Sequence, residues 1–459
     1  MIPLNLTKEE RMATGSVFSL VVSMSIPSII AQLINVLYNI VDRIYIGHIP
    51  GVGAAALTGV GLTFPVVVLI SAFSAFTSAG GAPLASIWLG KGDREHAEKI
   101  LGSSVWLLLV FTVVLMGIFY AFHVPFLYAF GASDATIPYA ASYLKIYLIG
   151  TLFVEFSMGL NTFIIVQGHA KTAMFSVLIG AIVNIILDPI FIFVIDLGVR
   201  GAAIATVISQ AVSAFWNLKF LIGTKSTLKI KRQFIRFDIP VVKQILSLGI
   251  SPFIMRSTEC LISVVMNRQL QVYGNDLYVG SMTIMQSVMQ FMSAPLAGFT
   301  QGVQPIISYN FGAGNFDRVK KFYRVMIGVS FVYGFLSTGL AMLFPEFFAG
   351  LFTTDAGLVA LVGKVMPVFL AGMLFFGIQQ GIQPTFLALG QAKISLFIAL
   401  LRKVILLVPL ALIFPVFWGV KGVYFAEPVS DIVSVIVASI LFLANIKKIL
   451  SREALEKIA

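Results

Sequence analysis

One cysteine in 459 residues, Cys260, leaves no disulfide framework to build. It lies in an apolar stretch and says almost nothing about redox compartment. The four histidines show no metal-ligand spacing. No nucleotide-binding G-x-x-x-x-G-K-[ST] loop occurs, and Gly90-Lys91-Gly92 is too short to cradle a phosphate, so direct use of ATP is not expected. Nor do a nucleophile, a base and an orienting group come together, which argues against an enzyme. Charge is scarce as well. Asp, Glu, Lys and Arg make up 11% of the chain against 58% hydrophobic residues, and the mean hydropathy is +0.97. That balance excludes an ordinary soluble domain.

What the chain does have is apolar length. Twelve stretches lie near 16–46, 55–89, 100–122, 138–166, 172–195, 200–223, 240–273, 278–310, 322–345, 360–389, 394–416 and 420–445. Each can cross a hydrocarbon core of about 30 Å, and the longer ones are expected to tilt or bend. The predicted class is an all-α integral membrane protein with twelve transmembrane helices. The net charge of +11 does not point to nucleic acid, because the basic residues gather in alternate loops. These are Lys8 and Arg11; Lys91, Arg94 and Lys99; Lys171; Lys225 to Lys243; Arg318 to Arg324; Lys393; and Lys447 to Lys457. The intervening loops carry mainly Arg200 and Lys421. Basic loops stay inside, so both termini and the central connection are expected in the cytoplasm. The first stretch follows charged residues and lacks a small-residue cleavage site, so it reads as a retained span. The expected setting is the plasma membrane, with lipid as the surround and a monomer as the working unit.

The chain also repeats itself. The Gly81-Pro83-Ser86-Gly90-Gly92 pattern returns 222 residues later around Pro305, Ser308, Gly312 and Gly314. Gly168-x-Ala170-Lys171 returns as Gly390-x-Ala392-Lys393, and Gly198-x-Arg200-Gly201 as Gly419-x-Lys421-Gly422. Pro27 and Asp42-Arg43 match Pro252 and Asn267-Arg268. This order predicts an N-terminal six-helix lobe (1–223), a basic cytoplasmic linker (224–240) and a C-terminal six-helix lobe (241–459). With termini and linker on one side the two repeats run parallel, and a transported molecule is expected to bind between them.

Polar residues inside the spans are functional candidates because they are costly there. Gln32, Asn35, Asn39 and Asp42 share one helical face, which reads as a cavity lining rather than a polar seam. Asn184 and Asp188 stack one turn apart in the fifth span, and Thr206 interrupts an apolar run in the sixth. Two carboxylates in one pocket suit a proton; the same oxygens could hold Na⁺, with H⁺ preferred. Glu155 sits mid-span without an evident partner. In the seventh span Arg256, Glu259, Ser263 and Asn267 form a second polar face, where Glu259 either lines a cavity or neutralises Arg256. Met282, Met285, Met289 and Met292, with Gln286 and Gln290 beside them, suit either promiscuous apolar binding or packing. Gln379, Gln380 and Gln383 add polar groups in the tenth span. The carboxylate pair is expected in the first half only; the intramembrane charge as a whole reads as mostly acidic, with only Arg43, Arg256 and Arg268 opposing.

These features resemble the multidrug and toxic compound extrusion (MATE) family over essentially the whole chain. The carrying residues are Val41-Asp42-Arg43-Ile44-Tyr45-Ile46-Gly47, Asn184-Ile185-Ile186-Leu187-Asp188-Pro189, the paired Gly turns, and Pro27 and Pro252. The carboxylate pattern looks like the DinF-like branch, and Pro-Phe-Ile-Met-Arg looks like its MepA-type members. The resemblance implies a V-shaped bundle of six plus six helices that exchanges H⁺ or Na⁺ inward for lipophilic, often cationic drugs outward by alternating access. It implies a cation site at Asp42, Asn184, Asp188 and Thr206, and bending at Pro27. NorM-like members use a Glu in the seventh span, close to Glu259, although the local spacing here differs. A lipid or lipid-linked oligosaccharide flippase of a related two-lobed fold is the alternative; such a site would need cationic residues to hold phosphate.

Overall fold

The computed structural model describes residues 8–130, 132–352 and 356–456. Lys457 and the side chains of Lys8 and Cys260 lie outside the described residues. The N-terminal lobe holds α1 (Val17–Gly47), α2 (Phe64–Gly90), α3 (Arg94–Ala129), α4 (Ile137–Ile149 with Thr151–Ile165), α5 (Ala170–Pro189) and α6 (Val199–Ile222). The C-terminal lobe holds α7 (Ile239–Tyr273), α8 (Asp276–Gly312), α9 (Phe316–Leu343), α10 (Ala356–Phe369 with Met373–Ala388), α11 (Ala392–Leu400, a π-helical stretch Leu401–Leu407, then Val408–Trp418) and α12 (Val420–Ile449). Short helices fill the remaining turns, and no strand occurs among the described residues.

The twelve apolar stretches are these twelve helices. Nine runs are long and apolar enough to span, and α4 and α10, bent by 58° and 54°, bring the number to 11 among the described residues. The twelfth, α8, has 37 residues, and Gln286, Gln290, Gln301 and Gln304 lower its hydropathy. Helix starts are capped by Ser16, Asp93, Asp238 and Asn275, whose side-chain oxygens accept from backbone N–H groups of the first turn. The repeated glycines sit where the chain must turn left-handed. Gly92, Gly168 and Gly198 have φ of 82°, 78° and 52°, and their counterparts Gly314, Gly390 and Gly419 have 71°, 69° and 57°. The repeat in sequence is therefore a repeat of backbone conformation.

Three clusters of buried side chains define the shape. One, at the end bearing the basic loops, draws on both lobes, from Leu20, Leu84 and Ile100 to Ile245, Val303, Phe386 and Phe442. At the opposite end each lobe keeps its own core: Ile46, Val66, Leu115 and Leu144 in one, Met266, Met282, Val362 and Phe369 in the other. The lobes are thus joined at the basic end and separate beyond it. The join depends on missing side chains. A Cβ on Gly249 would come 1.7 Å from the Phe76 carbonyl oxygen, and one on Gly80 would come 2.0 Å from that of Ile245. Small residues that let backbones touch are how helices associate where lipid is already apolar. Outward-facing Phe18, Val113, Val194, Phe417 and Leu443 stay exposed, as lipid contact allows.

The structure adds detail at two of these places. The methionine stripe of α8 is C-lobe packing: Met282 and Met285 are fully buried and Met292 nearly so, with Met289 against the same cluster. The 224–240 segment is no loose tether. Gln167 Oε1 accepts from the Ser226 hydroxyl and from the N–H groups of Thr227 and Leu228, and Lys231 pairs with buried Glu98.

Candidate functional site

In the N-terminal lobe, α1 crosses α5 toward the open end. The face of α1 predicted as one polar stripe divides by depth. Gln32, at the edge of the shared core, donates across the lobes to Gln301 of α8 at 2.9 Å. Asn39 bonds back to the Asn35 carbonyl within the helix. Only Asp42 reaches the interior of its own lobe, where its carboxylate comes within hydrogen-bond reach of Asp188. Asp188 is fully buried and accepts from Asn184 Nδ2 at 3.2 Å, while its Oδ2 and Asp42 Oδ1 have no other protein donor. Two carboxylates hydrogen-bond to each other only with a proton between them, because an ionised carboxylate is acceptor-only.

A ring of aromatic hydroxyls closes around the pair. Tyr38, one turn before Asp42, faces both carboxylates and Gln210. Tyr143 of α4 faces Asp42 and Thr206, the latter nearly buried on α6. Tyr147 faces Tyr38 and Glu155, and Glu155 is fully buried with neither carboxylate oxygen bonded. Sequence reading found Asp42, Asn184, Asp188, Thr206 and Glu155. It missed Tyr38, Tyr143, Tyr147 and Gln210, because a tyrosine in an apolar helix reads as packing until a carboxylate is placed beside it. Pro27 is buried in an unbroken α1 at the level of the shared core.

In the C-terminal lobe, Arg256 and Glu259 are both exposed on α7 and form no ion pair with each other. Gln383 of α10 is buried against α7, its amide donating to Ser251 Oγ at 3.1 Å, while Gln380 lines a narrow cleft with Met292, Ser293, Tyr333 and Phe376.

The larger correction is a second charged cluster. Arg402, in the π-helical stretch of α11, donates to Asp431 at 2.7 Å and to Glu427 at 3.1 Å, both on α12. Its guanidinium lies 4.0 Å from the Phe376 ring centroid. Lys403 beside it is buried too. A carboxylate pair is thus not confined to the first half, and the basic residues opposing the acidic intramembrane charge are not only Arg43, Arg256 and Arg268. The signal was present. The 221-residue offset between Gly201 and Gly422 sets Glu427 at the place of Thr206 and Asp431 at that of Gln210.

The MatE family model matches residues 27–190 and 253–413, one segment in each lobe. Among curated proteins, Multidrug export protein MepA of Staphylococcus haemolyticus is 26% identical over 425 residues, 92% of this chain and 93% of that protein. The Staphylococcus aureus (strain NCTC 8325) protein of the same name is 26% identical over 427 residues, 93% of each chain. Among solved structures, an outward-facing multidrug resistance MATE transporter of the MOP superfamily superposes with a TM-score of 0.90 at 23% identity, over 97% of this chain and 99% of that one. That likeness shows the fold.

Proposed function

The chain belongs to the MatE family, and from that premise we propose that it is a secondary active multidrug exporter, extruding lipophilic, mainly cationic compounds in exchange for H⁺ by alternating access. The observation that carries the coupling is the Asp42–Asp188 contact. A proton shared between two carboxylates with no other protein donor on their inner oxygens is released when the lobe rearranges, and this favours H⁺ over Na⁺. Asn184, Thr206, Tyr38 and Tyr143 orient the pair. Glu259, exposed on α7, is the C-lobe group that attracts a substrate cation. The basic loops support a joined end on the cytoplasmic side; on that reading the lobes open outward, and a monomer in the plasma membrane is the working unit.

The coupling is tested by reconstituting the protein and following a fluorescent lipophilic cation under an imposed pH gradient or an imposed Na⁺ gradient. Uphill movement driven by the pH gradient alone is expected. Movement driven only by Na⁺ would replace H⁺ as the coupling ion. Movement under neither gradient, with transfer of a labelled lipid instead, would favour the flippase alternative.

A further inference from the structure

The C-lobe cluster has a division of labour that the coupling site of the other lobe does not explain. Arg402 is paired on both sides. Two carboxylates hold its guanidinium, Phe376 covers its face, and its carbonyl accepts from Ser430 at 2.8 Å. Lys403 is buried to 8% exposure, yet no ion pair within 4.0 Å is formed by it among the described residues. The charged groups that face it are Arg402 on its own helix, Glu259 on α7, and Glu427 and Asp431 on α12. From α10, the neutral ring of Phe376 lies against Arg402.

Polar capacity remains open around it. Asp431 is fully buried, and its Oδ2 has no partner; nor has Ser434 Oγ one turn along. Gln379 is 1% exposed, with both amide atoms unpartnered. It lies on the face of α10 that runs from Phe376 on Arg402 to Gln383 on Ser251, so it points into the cluster.

Charge decides what such a site can take. Arg402, Lys403, Glu427 and Asp431 sum to zero while Lys403 is an ammonium, and Glu259 at the rim adds one negative charge, so an added Na⁺ or drug cation would be drawn by Glu259 alone. Arginine does not give up its proton in proteins, whereas a lysine kept from water can. We infer that Lys403 is a second proton carrier, located in the C lobe, whose ammonium is exchanged against a cationic substrate. The ammonium gives its proton to water of the cleft and becomes the neutral amine. The cluster is left with one net negative charge, and a monocation is drawn to it past Glu259. Reprotonation on the other side of the cycle expels that cation. This rests on the antiport reading above.

The test measures the affinity of the detergent-purified protein for tetraphenylphosphonium against pH, in wild type, Lys403→Gln and Lys403→Arg. Wild type should bind more tightly as pH rises, and each variant should lose one tenfold change in affinity per pH unit from that slope. Lys403→Gln should bind tightly and Lys403→Arg weakly, opposite levels that a merely structural lysine would not produce. If one variant does not accumulate, the slope of the other decides. Wild-type slope in either variant would overturn the assignment. A wild type with no pH dependence would instead remove the proton-coupled reading on which it stands.

Discussion

Adding one methyl group to Gly249 should push the lobes apart where they are joined. Helix α7 lies on α2 there, and the new Cβ would sit 1.7 Å from the Phe76 carbonyl oxygen and 3.1 Å from its ring. Ordinary contact starts at 3.4 Å, so the helices must separate by roughly the difference, and the obstacle is backbone rather than a flexible side chain. Overpacking of this kind costs about 1–3 kcal/mol. On the alternating-access proposal the cost falls only on the state in which the basic end is closed, so it shifts the equilibrium between outward-open and inward-open forms by about 5- to 150-fold. Spin labels at Ala135 and Lys421, exposed on the opposite end of each lobe, would report the change. Gly249→Ala is expected to move the distance distribution between them toward shorter values and to slow export, with the protein still folded. An unchanged distribution at unchanged transport rate would refute the claim that these glycines hold the closed end together.

Three other outcomes follow from separate parts of the molecule. Arg402→Met leaves Glu427 and Asp431 without their cation and should cost about 3–5 kcal/mol in thermal or denaturant unfolding; adding Glu427→Gln and Asp431→Asn should recover most of the loss, and failure to do so would contradict the pairing. His96, at the basic end, stacks on Trp88 with ring centroids 3.9 Å apart, and burial holds its imidazole below the usual value of about 6.5, against the pull of Asp93. The folded state therefore prefers the neutral ring, so this contribution is complete above about pH 6.5 and is lost as pH falls through the lower folded value; melting curves of His96→Gln should show a flatter loss below pH 6.5. Lys225 is exposed in the docked linker, so a cysteine placed there after Cys260→Ser should escape an impermeant thiol reagent in intact cells and react in inverted vesicles, with the reverse result overturning the sidedness.

The architecture was open to reading because its markers are local. A glycine forced to positive φ at Gly92 or Gly168 keeps its identity in the second repeat at Gly314 or Gly390, so an internal offset revealed two lobes. The N-lobe pair was open for a similar reason: Asn184 and Asp188 lie four apart, and helical spacing alone stacks them. What spacing could not supply was the partner across the helix. It could not tell that Gln32 reaches Gln301 while Asp42 turns inward, nor that Met282 and Met285 of α8 are buried in the cluster that holds Val362 and Met366. Arg402 and Lys403 were visible as charges in an apolar run. Their meaning depended on Glu427 and Asp431 arriving from the next helix, which only the repeat offset or the packing brings into view.

The most direct test counts protons and drug molecules together. Proteoliposomes carrying wild type, Asp42→Asn or Asp188→Asn would be given a pH gradient at equal Na⁺, with cation extrusion and internal pH followed at once. The account predicts uphill extrusion accompanied by proton entry in wild type. It predicts loss of both in each single variant, at normal yield and with the drug still bound at equilibrium. Uphill extrusion at wild-type rate in both variants would contradict it.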